Sequence, residues 1–591
     1  MRELIIPILA LLATLGMAPA APDVLIDVDH PVQSDTPTAK TVEKPCDRVP
    51  LVDFQMPVEI TGNYLNLPVD DSKPRSRVSI DGPDGKRLRA FDISLTRDEP
   101  VFWASVDVRP YKGKTLKLEV DLHVKGDRSL EKIHQSETPV RAKDLYEEEF
   151  RPRFHYSPQV GWVNDPNGMV HYKGTWHFFY QYNPYGNKWA NMHWGYATST
   201  DLVHWKEQGV AFLLPPGFQA YSGGGVVDWK NTSGLGRGEH PPILLYVTEP
   251  KRGQLLVYSD DGGKNWKLYS EKPVTTIKHR DPKVLWYEPG QHWAMTLFSG
   301  NYKGVFNFST SKNGIDWTPG VAATYPGHNE CPDLAEMAVE GEPGVKKWVF
   351  FSGAGSFGAG DCAKYAVGSF DGKVFAAEQE SIVIDSGRDN YSTQLYSDAP
   401  DGRHIFVGWI TRGFDSAQLR GMPANAQFRV PWELSLYRAP DGTFRLRRLP
   451  VKEIDSLRGR KHEWVNAVLD PQSFFRPDLA HRELDLEIAI RPGSTGSFSF
   501  LLAGRELRYD CGTSTLHGFK RSVKLEPIDG QLLFRILLDR SSVELFANKG
   551  QVVMSGFSVA DSSEAPFAIV TGEGTHLGSL VRIHEMKSIW K

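Results

Sequence analysis

The sequence predicts an all-β protein: a five-bladed β-propeller followed by a C-terminal β-sandwich, with a further β-sandwich-like module ahead of both. Three observations carry that prediction. Short alternating strands separated by turn residues recur along the chain, and its 54 Gly and 40 Pro supply those turns. Its 30 Phe, 21 Tyr and 16 Trp supply flat apolar side chains that pack between sheets. A unit of strand, polar turn and aromatic repeats at a spacing of roughly 50 to 60 residues, the length of one four-stranded blade with insertions.

At 591 residues the chain is too long for one ordinary core. A hydrophobic content of 40% and a charged content of 24% are those of ordinary soluble globular chains. The net charge of -4 gives no reason to expect nucleic acid or an anionic membrane as partner. At the start, Met1-Arg2, the apolar run Leu4 to Met17 and Ala18-Pro19-Ala20 predict a signal peptide over residues 1–20, hence a secreted protein in periplasm or medium. No later segment reaches about 18 uninterrupted apolar residues, so no membrane span is expected. Cys46, Cys331, Cys362 and Cys511 are too scattered for a disulfide framework or a zinc site, and neither metal nor cofactor is expected.

In chain order, residues 21–48 read as a polar linker. Residues 49–140 hold the short runs Arg77 to Gly82, Leu88 to Ile93, Val101 to Val106 and Leu116 to Val120, a small β-sandwich that binds something or shields its neighbour. Asp144 to Phe150 predicts a short helical lead-in to the propeller, residues 145–447. The repeat is legible as Thr198 to Trp205, Tyr258 to Trp266, Thr310 to Trp317 and, more weakly, Gly368 to Phe375. Each copy reads as a polar turn joining two outer strands, with the aromatic packing between blades. Ile243 to Thr248, Trp293 to Phe298, Lys347 to Phe351 and Arg403 to Ile410 read as central strands, the last closing a fifth blade. Residues 448–591 alternate again, in Leu484 to Ile490, Ser497 to Leu502, the hairpin Phe534 to Phe546, and Leu580 to Met586, a second sandwich.

Three acidic turns sit beside aromatic, strand-like sequence: Asn164-Asp165-Pro166-Asn167-Gly168, Arg280-Asp281-Pro282 and Glu330-Cys331-Pro332-Asp333. Any one of them is explained by turn chemistry alone. Propeller strands radiate from a central channel, however, so turns at one end of the innermost strands converge on one funnel. The repeat places the three acids in successive blades. Two carboxylates can then cleave a glycosidic bond, with retention of configuration if they stand about 5 to 5.5 Å apart. A third can hold sugar hydroxyls and favour a cation-like transition state. Arg280 is expected to keep the neighbouring acids ionised, and a Glu beside two anionic Asp residues to be shifted upward. Cys331 reads as a small buried side chain rather than a nucleophile.

These three motifs, in this order, resemble the invertase, inulinase and levanase family of glycoside hydrolases, family 32, from about Phe150 to the C-terminus. The resemblance implies that Asp165 is the nucleophile, Asp281 the transition-state stabiliser and Glu330 the acid/base. With the aromatic setting of Trp162, it implies a substrate pocket of Trp162, Asn164, Gln181, Trp189, Tyr221, Ser222 and Arg280. It also implies a five-bladed propeller with a trailing sandwich, and an exo-acting β-fructofuranosidase that hydrolyses levan, inulin or sucrose through a covalent fructosyl-enzyme. Asn231 to Gly234, Arg280 to Val284 and Glu330 to Leu334 look most like microbial levanases and exo-inulinases. Val163, Trp194-Gly195-Tyr196, Ser222-Gly223-Gly224 and Pro431-Trp432 depart from the usual pattern and leave the exact substrate open. An endo-levanase or a fructosyltransferase of the same family are the near alternatives. A sialidase matches Ser259-Asp260-Asp261-Gly262 with Trp266 but leaves the three acidic turns unexplained. A non-catalytic fructan-binding protein would be expected to lack one of the carboxylates.

Overall fold

The structure is a computed structural model that describes residues 51–590 apart from 278, 301–302, 355–362, 411–421, 472–473 and 560–564. The expected signal peptide and linker, with Cys46 and Cys362, lie outside the described residues. From Gly161 to Pro450 the chain forms five successive antiparallel sheets, each of four principal strands, the blades of a propeller. Their first strands are Gly161–Tyr172, Tyr221–Val227, Arg280–Tyr287, Asn329–Ala338 and Asn390–Leu395. Each touches the next, and the fifth touches the first, so they close a ring around the channel. Ala424–Asn425 adds a parallel pairing onto Gly161 and Trp162, tying the fifth blade's segment to the first blade.

Second strands such as Ile243–Glu249 are buried on both faces because neighbouring blades cover both, which is why they read as continuous apolar runs. The repeated polar turns join third and fourth strands. Asp201, Asp261, Asn313 and Asp371 each accept two backbone N–H bonds there. The aromatics that follow, Trp205, Trp266, Trp317 and Phe375, pack into the blade cores. Gly224 and Gly225 let the ring close: a Cβ on the first would lie 2.5 Å from the Pro282 carbonyl oxygen, and on the second 2.6 Å from that of Gly168.

The three acidic turns are not turns. Each lies within a first strand that runs on unbroken, as a bulge near its start. The pairing register with the second strand slips between Val163 and Pro166, between Arg280 and Lys283, and between Asn329 and Asp333. The second and fifth blades slip at the same place, between Tyr221 and Gly223 and between Tyr391 and Gln394. Pro166, Pro282 and Pro332 have no N–H for the ladder, which confines them to such bulges. Asp281 and Cys331 take left-handed backbone angles, φ 58° and 47°. The same residues that signal a reversal therefore produce a kink.

Two further expectations are corrected. Asp144 to Phe150 forms consecutive turns rather than a helix. Tyr146 has φ 71°, a left-handed angle that interrupts a right-handed helix. The propeller's last strand, Phe444–Pro450, runs past Arg447, and the next residue, Arg448, is buried and bonds the Ile384 carbonyl.

Ahead of the propeller, the sheet of Leu51–Glu59, Thr115–Val124, Ser76–Asp81 and Arg87–Ile93 faces that of Phe102–Asp107, Tyr64–Val69 and His134–Ser136 across an aliphatic core. Beyond it, a six-stranded and a five-stranded sheet between Arg458 and Met586 enclose a second core. Helical structure among the described residues is limited to five 3₁₀ turns, and no helix is long and apolar enough to cross a membrane.

One ion cluster holds the C-terminal sandwich to the propeller. The fully buried His155 bonds Asp539 through Nδ1 at 2.8 Å and Glu544 through Nε2 at 2.7 Å. Asp539 also accepts the backbone N–H groups of Arg153, Phe154 and His155, while Glu544 accepts Val430 N–H and Trp432 Nε1–H. Burial works against the imidazolium, but the bonds to both carboxylates outweigh it and raise His155 to about 9. Its stabilisation is therefore complete below its ordinary value of 6.5 and is lost as pH rises through about 9. His155→Gln should cost about 3–5 kcal/mol, because the buried Asp539 loses its cation and Glu544 keeps only Arg429, 3.6 Å away. Calorimetric Tm should fall from about pH 6.5 to 9 in the parent, and the variant should lack that fall. An unchanged pH slope in the variant would show that His155 carries no charge.

Candidate active site

The bulges deliver side chains from all five blades to one end of the channel. Asp165 comes from the first blade, Tyr221 and Ser222 from the second, Asp281 from the third, Glu330 from the fourth, and Tyr391 and Ser392 from the fifth. The three acids are thus not in successive blades; a blade without an acid intervenes. Asp165 keeps part of its surface open to the funnel and is otherwise enclosed by protein. Ser222 Oγ–H donates to its Oδ2 at 2.5 Å and Asn164 Nδ2 to its Oδ1 at 3.2 Å. Trp162 Nε1 orients Asn164 at 3.3 Å, and Gln181 Nε2 holds Ser222 Oγ at 3.2 Å. Trp189 sets its ring edge-on to Tyr221, with centroids 6.0 Å apart.

Across the ring, Glu330 accepts a bond from Arg280 Nη2 at Oε1 and one from the Tyr391 hydroxyl at Oε2, the latter 2.5 Å long. Asp281 lies between the two sides. Its Oδ2 accepts Cys331 N–H at 3.0 Å and stands 3.7 Å from Arg280 Nε. The Cys331 sulfur is 3.7 Å from both Asp165 Oδ2 and Asp281 Oδ2, so this small buried side chain sets the spacing of the two aspartates. All ten expected residues fall into this one connected cluster.

Burial pushes Asp281 up to about 7, with the Glu330 and Asp165 charges adding and Arg280 opposing. Burial also raises Asp165, with Ser222 opposing and Glu330 adding. Arg280 does not keep Asp281 ionised, because its guanidinium is spent on Glu330 and desolvation outweighs it. Burial likewise keeps the Cys331 thiol and the Tyr391 phenol well above their ordinary values, hence protonated. Groups this close titrate together, so the cluster as a whole holds a proton near neutrality.

Asp333, the other acid of the fourth-blade motif, is not in the funnel. It is fully buried, 3.1 Å from Lys283 Nζ, and accepts Leu395 N–H at 2.7 Å. Lys283 Nζ also donates to the Leu395 carbonyl at 3.1 Å. This trio locks the third, fourth and fifth first strands together directly beneath the acids. Sequence reasoning missed Tyr391 and Ser392, whose hydroxyl meets Cys331 Sγ at 2.9 Å. The acid just ahead of the fifth blade's first strand, Asp389, bonds the Phe557 amide of the sandwich, yet that strand had to precede the recognised Arg403 to Ile410 strand. Among the described residues, no group of three His, Cys, Asp or Glu side chains is arranged to hold a metal ion.

Comparison with known proteins gives this arrangement its context. Residues 155–436 match the glycosyl hydrolases family 32 N-terminal domain, and residues 453–580 the glycosyl hydrolases family 32 C-terminal domain. A levanase of Bacillus subtilis is 34% identical over 490 residues, covering 75% of this chain and 72% of its own length. An extracellular exo-inulinase of Aspergillus niger is 28% identical over 524 residues, 75% of this chain and 96% of its own. In three dimensions the exo-inulinase of Aspergillus awamori superposes with a TM-score of 0.67 at 24% identity, over 75% of this chain and all of that one, which shows the shared fold. Residues before His155 fall outside both family profiles. The chain is a glycoside hydrolase and belongs to family 32.

Proposed function

We propose that the protein is a secreted β-fructofuranosidase that removes terminal fructose from levan or inulin, and from sucrose, with retention of configuration. The observation that carries this reading is the pairing of two differently dressed carboxylates across one ring: Asp165 bonded by Ser222 and Asn164, Glu330 by Arg280 and Tyr391. Asp165 attacks the anomeric carbon while the proton shared by the cluster passes through Glu330 to the leaving glycosidic oxygen, leaving Asp281 as the carboxylate, and the C–O bond breaks. To do so, the leaving oxygen takes the place of one of the two donors on Glu330. Glu330 then takes a proton from water as that water displaces Asp165. Asp281, fixed by the Cys331 amide, faces the sugar between them and offsets the charge of the oxocarbenium-like transition state.

Relatives named levanase and exo-inulinase support the substrate class. Relatives named exo-inulinase also support attack at chain ends. Export rests on the Met1 to Ala20 segment alone. A time course on levan and inulin read by chromatography tests the reading: fructose as sole early product is expected, and a ladder of oligosaccharides would overturn the exo assignment.

Asp165→Asn should abolish hydrolysis and leave the fold, read by circular dichroism, unchanged; retained turnover would remove Asp165 from the mechanism. Glu330→Gln should slow sucrose hydrolysis by about 10²–10⁴-fold. Its first step on an aryl fructoside, which needs little protonation, should suffer far less. Azide should restore turnover on that substrate and yield a fructosyl azide of retained configuration. Equal losses on both substrates without azide rescue would mean that Glu330 has another role.

The titration of the cluster gives a pH prediction. With Asp281 raised to about 7, the shared proton leaves near neutrality, and kcat/KM on sucrose should decline above about pH 7. A profile flat to about pH 9 would show that the cluster supplies no functional proton.

A further inference from the structure

The segment between the second and third strands of the first blade, residues 184–192, carries Trp189 at the rim of the funnel, and much of its support comes from the N-terminal module. The Asp71 carboxylate, in the turn between Tyr64–Val69 and Ser76–Asp81, accepts the Asn187 N–H. It lies directly on the Gly186 backbone, so close that a Cβ there would stand 3.1 Å from both of its oxygens. Lys188 Nζ returns a bond to the Asp71 carbonyl at 3.1 Å. Asn191, with φ 45°, forms a two-way amide pair with the backbone of Asp92, at 2.9 and 2.8 Å. Phe91 stacks flat on Tyr185 with centroids 3.7 Å apart. On its other side the segment is held by the Asn425 side chain at Asn187 O and by Met422 O at Asn187 Nδ2. Asn187 is therefore gripped from module and propeller together, two residues before Trp189.

A buried carboxylate is costly unless it is bonded, and Asp71 is largely enclosed with a backbone amide of the other domain as its partner. A module that only covered apolar surface would need no such contact at the base of a pocket loop. Trp189 in turn meets Tyr221, whose neighbour Ser222 bonds Asp165. It stands at the outer end of the line of contacts that runs from Asp165 through Ser222 to Tyr221.

We propose that the N-terminal module is part of the substrate site: Asp71 is a positioning residue that fixes the 184–192 segment and so places Trp189 against the leaving sugar. This rests on the fructosidase reading above and assigns the module to recognition of the second residue of a fructan chain. The contact is an aromatic face presented to a sugar ring, lost when the segment relaxes.

The test compares a fructan trisaccharide with fructosyl fluoride, whose one-atom leaving group reaches no outer site. In the full chain, Asp71→Ala should raise KM for the trisaccharide roughly five- to tenfold, the scale of one lost ring contact, and leave fructosyl fluoride turnover unchanged. Asp71→Asn keeps an acceptor for the Asn187 amide and should recover most of the loss. Gly186→Ala pushes the carboxylate away from the propeller side and should reproduce it. Trp189→Ala should lose the trisaccharide to a similar extent, and the Asp71→Ala/Trp189→Ala double variant should be no worse than Trp189→Ala. Losses that multiply in the double variant would overturn the proposal, as would equal losses on both substrates in Asp71→Ala. If Trp189→Ala changes neither substrate, the pocket assignment of Trp189 falls, and the proposal with it. If Asp71→Ala does not fold, Asp71→Asn and Gly186→Ala carry the same comparison.

Discussion

Three carboxyl groups, Asp281 and Glu330 buried and Asp165 half-buried, share one ring with a single guanidinium, and the rest of the molecule is arranged to make that tolerable. Left to themselves, Asp165, Asp281 and Glu330 would move apart or fill the space between them with water. Each is instead fixed to a strand that cannot move independently, since its blade is packed on both faces by neighbours. The Lys283–Asp333–Leu395 lock ties three of those strands just below the acids. The fold supplies short-range donors in place of water: Ser222, Asn164, the Cys331 amide, Tyr391 and Arg280. Five blades suit this, because only a closed ring can aim side chains from every direction at one point.

Much of this architecture was legible because propellers repeat. The polar turn with its trailing aromatic is a local device, and local devices survive in sequence: Ser259, Asp261 and Trp266 announce a blade edge wherever they occur. The acids were legible for the opposite reason, as prolines and carboxylates out of keeping with the strands around them. The sequence did not reveal that Pro166, Pro282 and Pro332 mark kinks within strands. Asn, Asp, Pro and Gly carry the same conformational preferences in a reversal and in a bulge, and only the partner strand decides between them. Tyr391 and Ser392 escaped because the acid ahead of them, Asp389, has no Pro after it to mark a bulge and bonds the Phe557 amide of the sandwich. The choice of Arg280 for Glu330 over Asp281 depends on side-chain reach across two blades, which spacing along the chain does not encode.

Contacts between domains were the least legible part. Asp539 and Glu544 read as the ends of an ordinary hairpin, and His155 as a residue before a motif, although together they join two domains. The pairing spans nearly 400 positions of sequence, and neither partner's local pattern hints at the other. The same holds for Asp71 and Asn187. Both latches place a carboxylate from one domain on backbone N–H groups of another, which makes them directional as well as tight.

The molecule buries two charged clusters and treats them in opposite ways. At the interface His155 lies between two carboxylates and Arg429 stands 3.6 Å from the second, each carboxylate has further N–H donors, and both Asp539 and Glu544 are held below their ordinary values despite burial. Their charges are compensated, and their protonation is insensitive to pH near neutrality. In the funnel, three carboxylates meet one cation, and Asp165 and Asp281 are driven upward. That cluster is undercompensated by construction. Burial, with that deficit adding, lets a proton reside among the acids at neutral pH, and the deficit favours a sugar that becomes positively charged as its bond breaks. An interface needs every charge paired; a site for glycosidic cleavage needs one pairing withheld until substrate arrives.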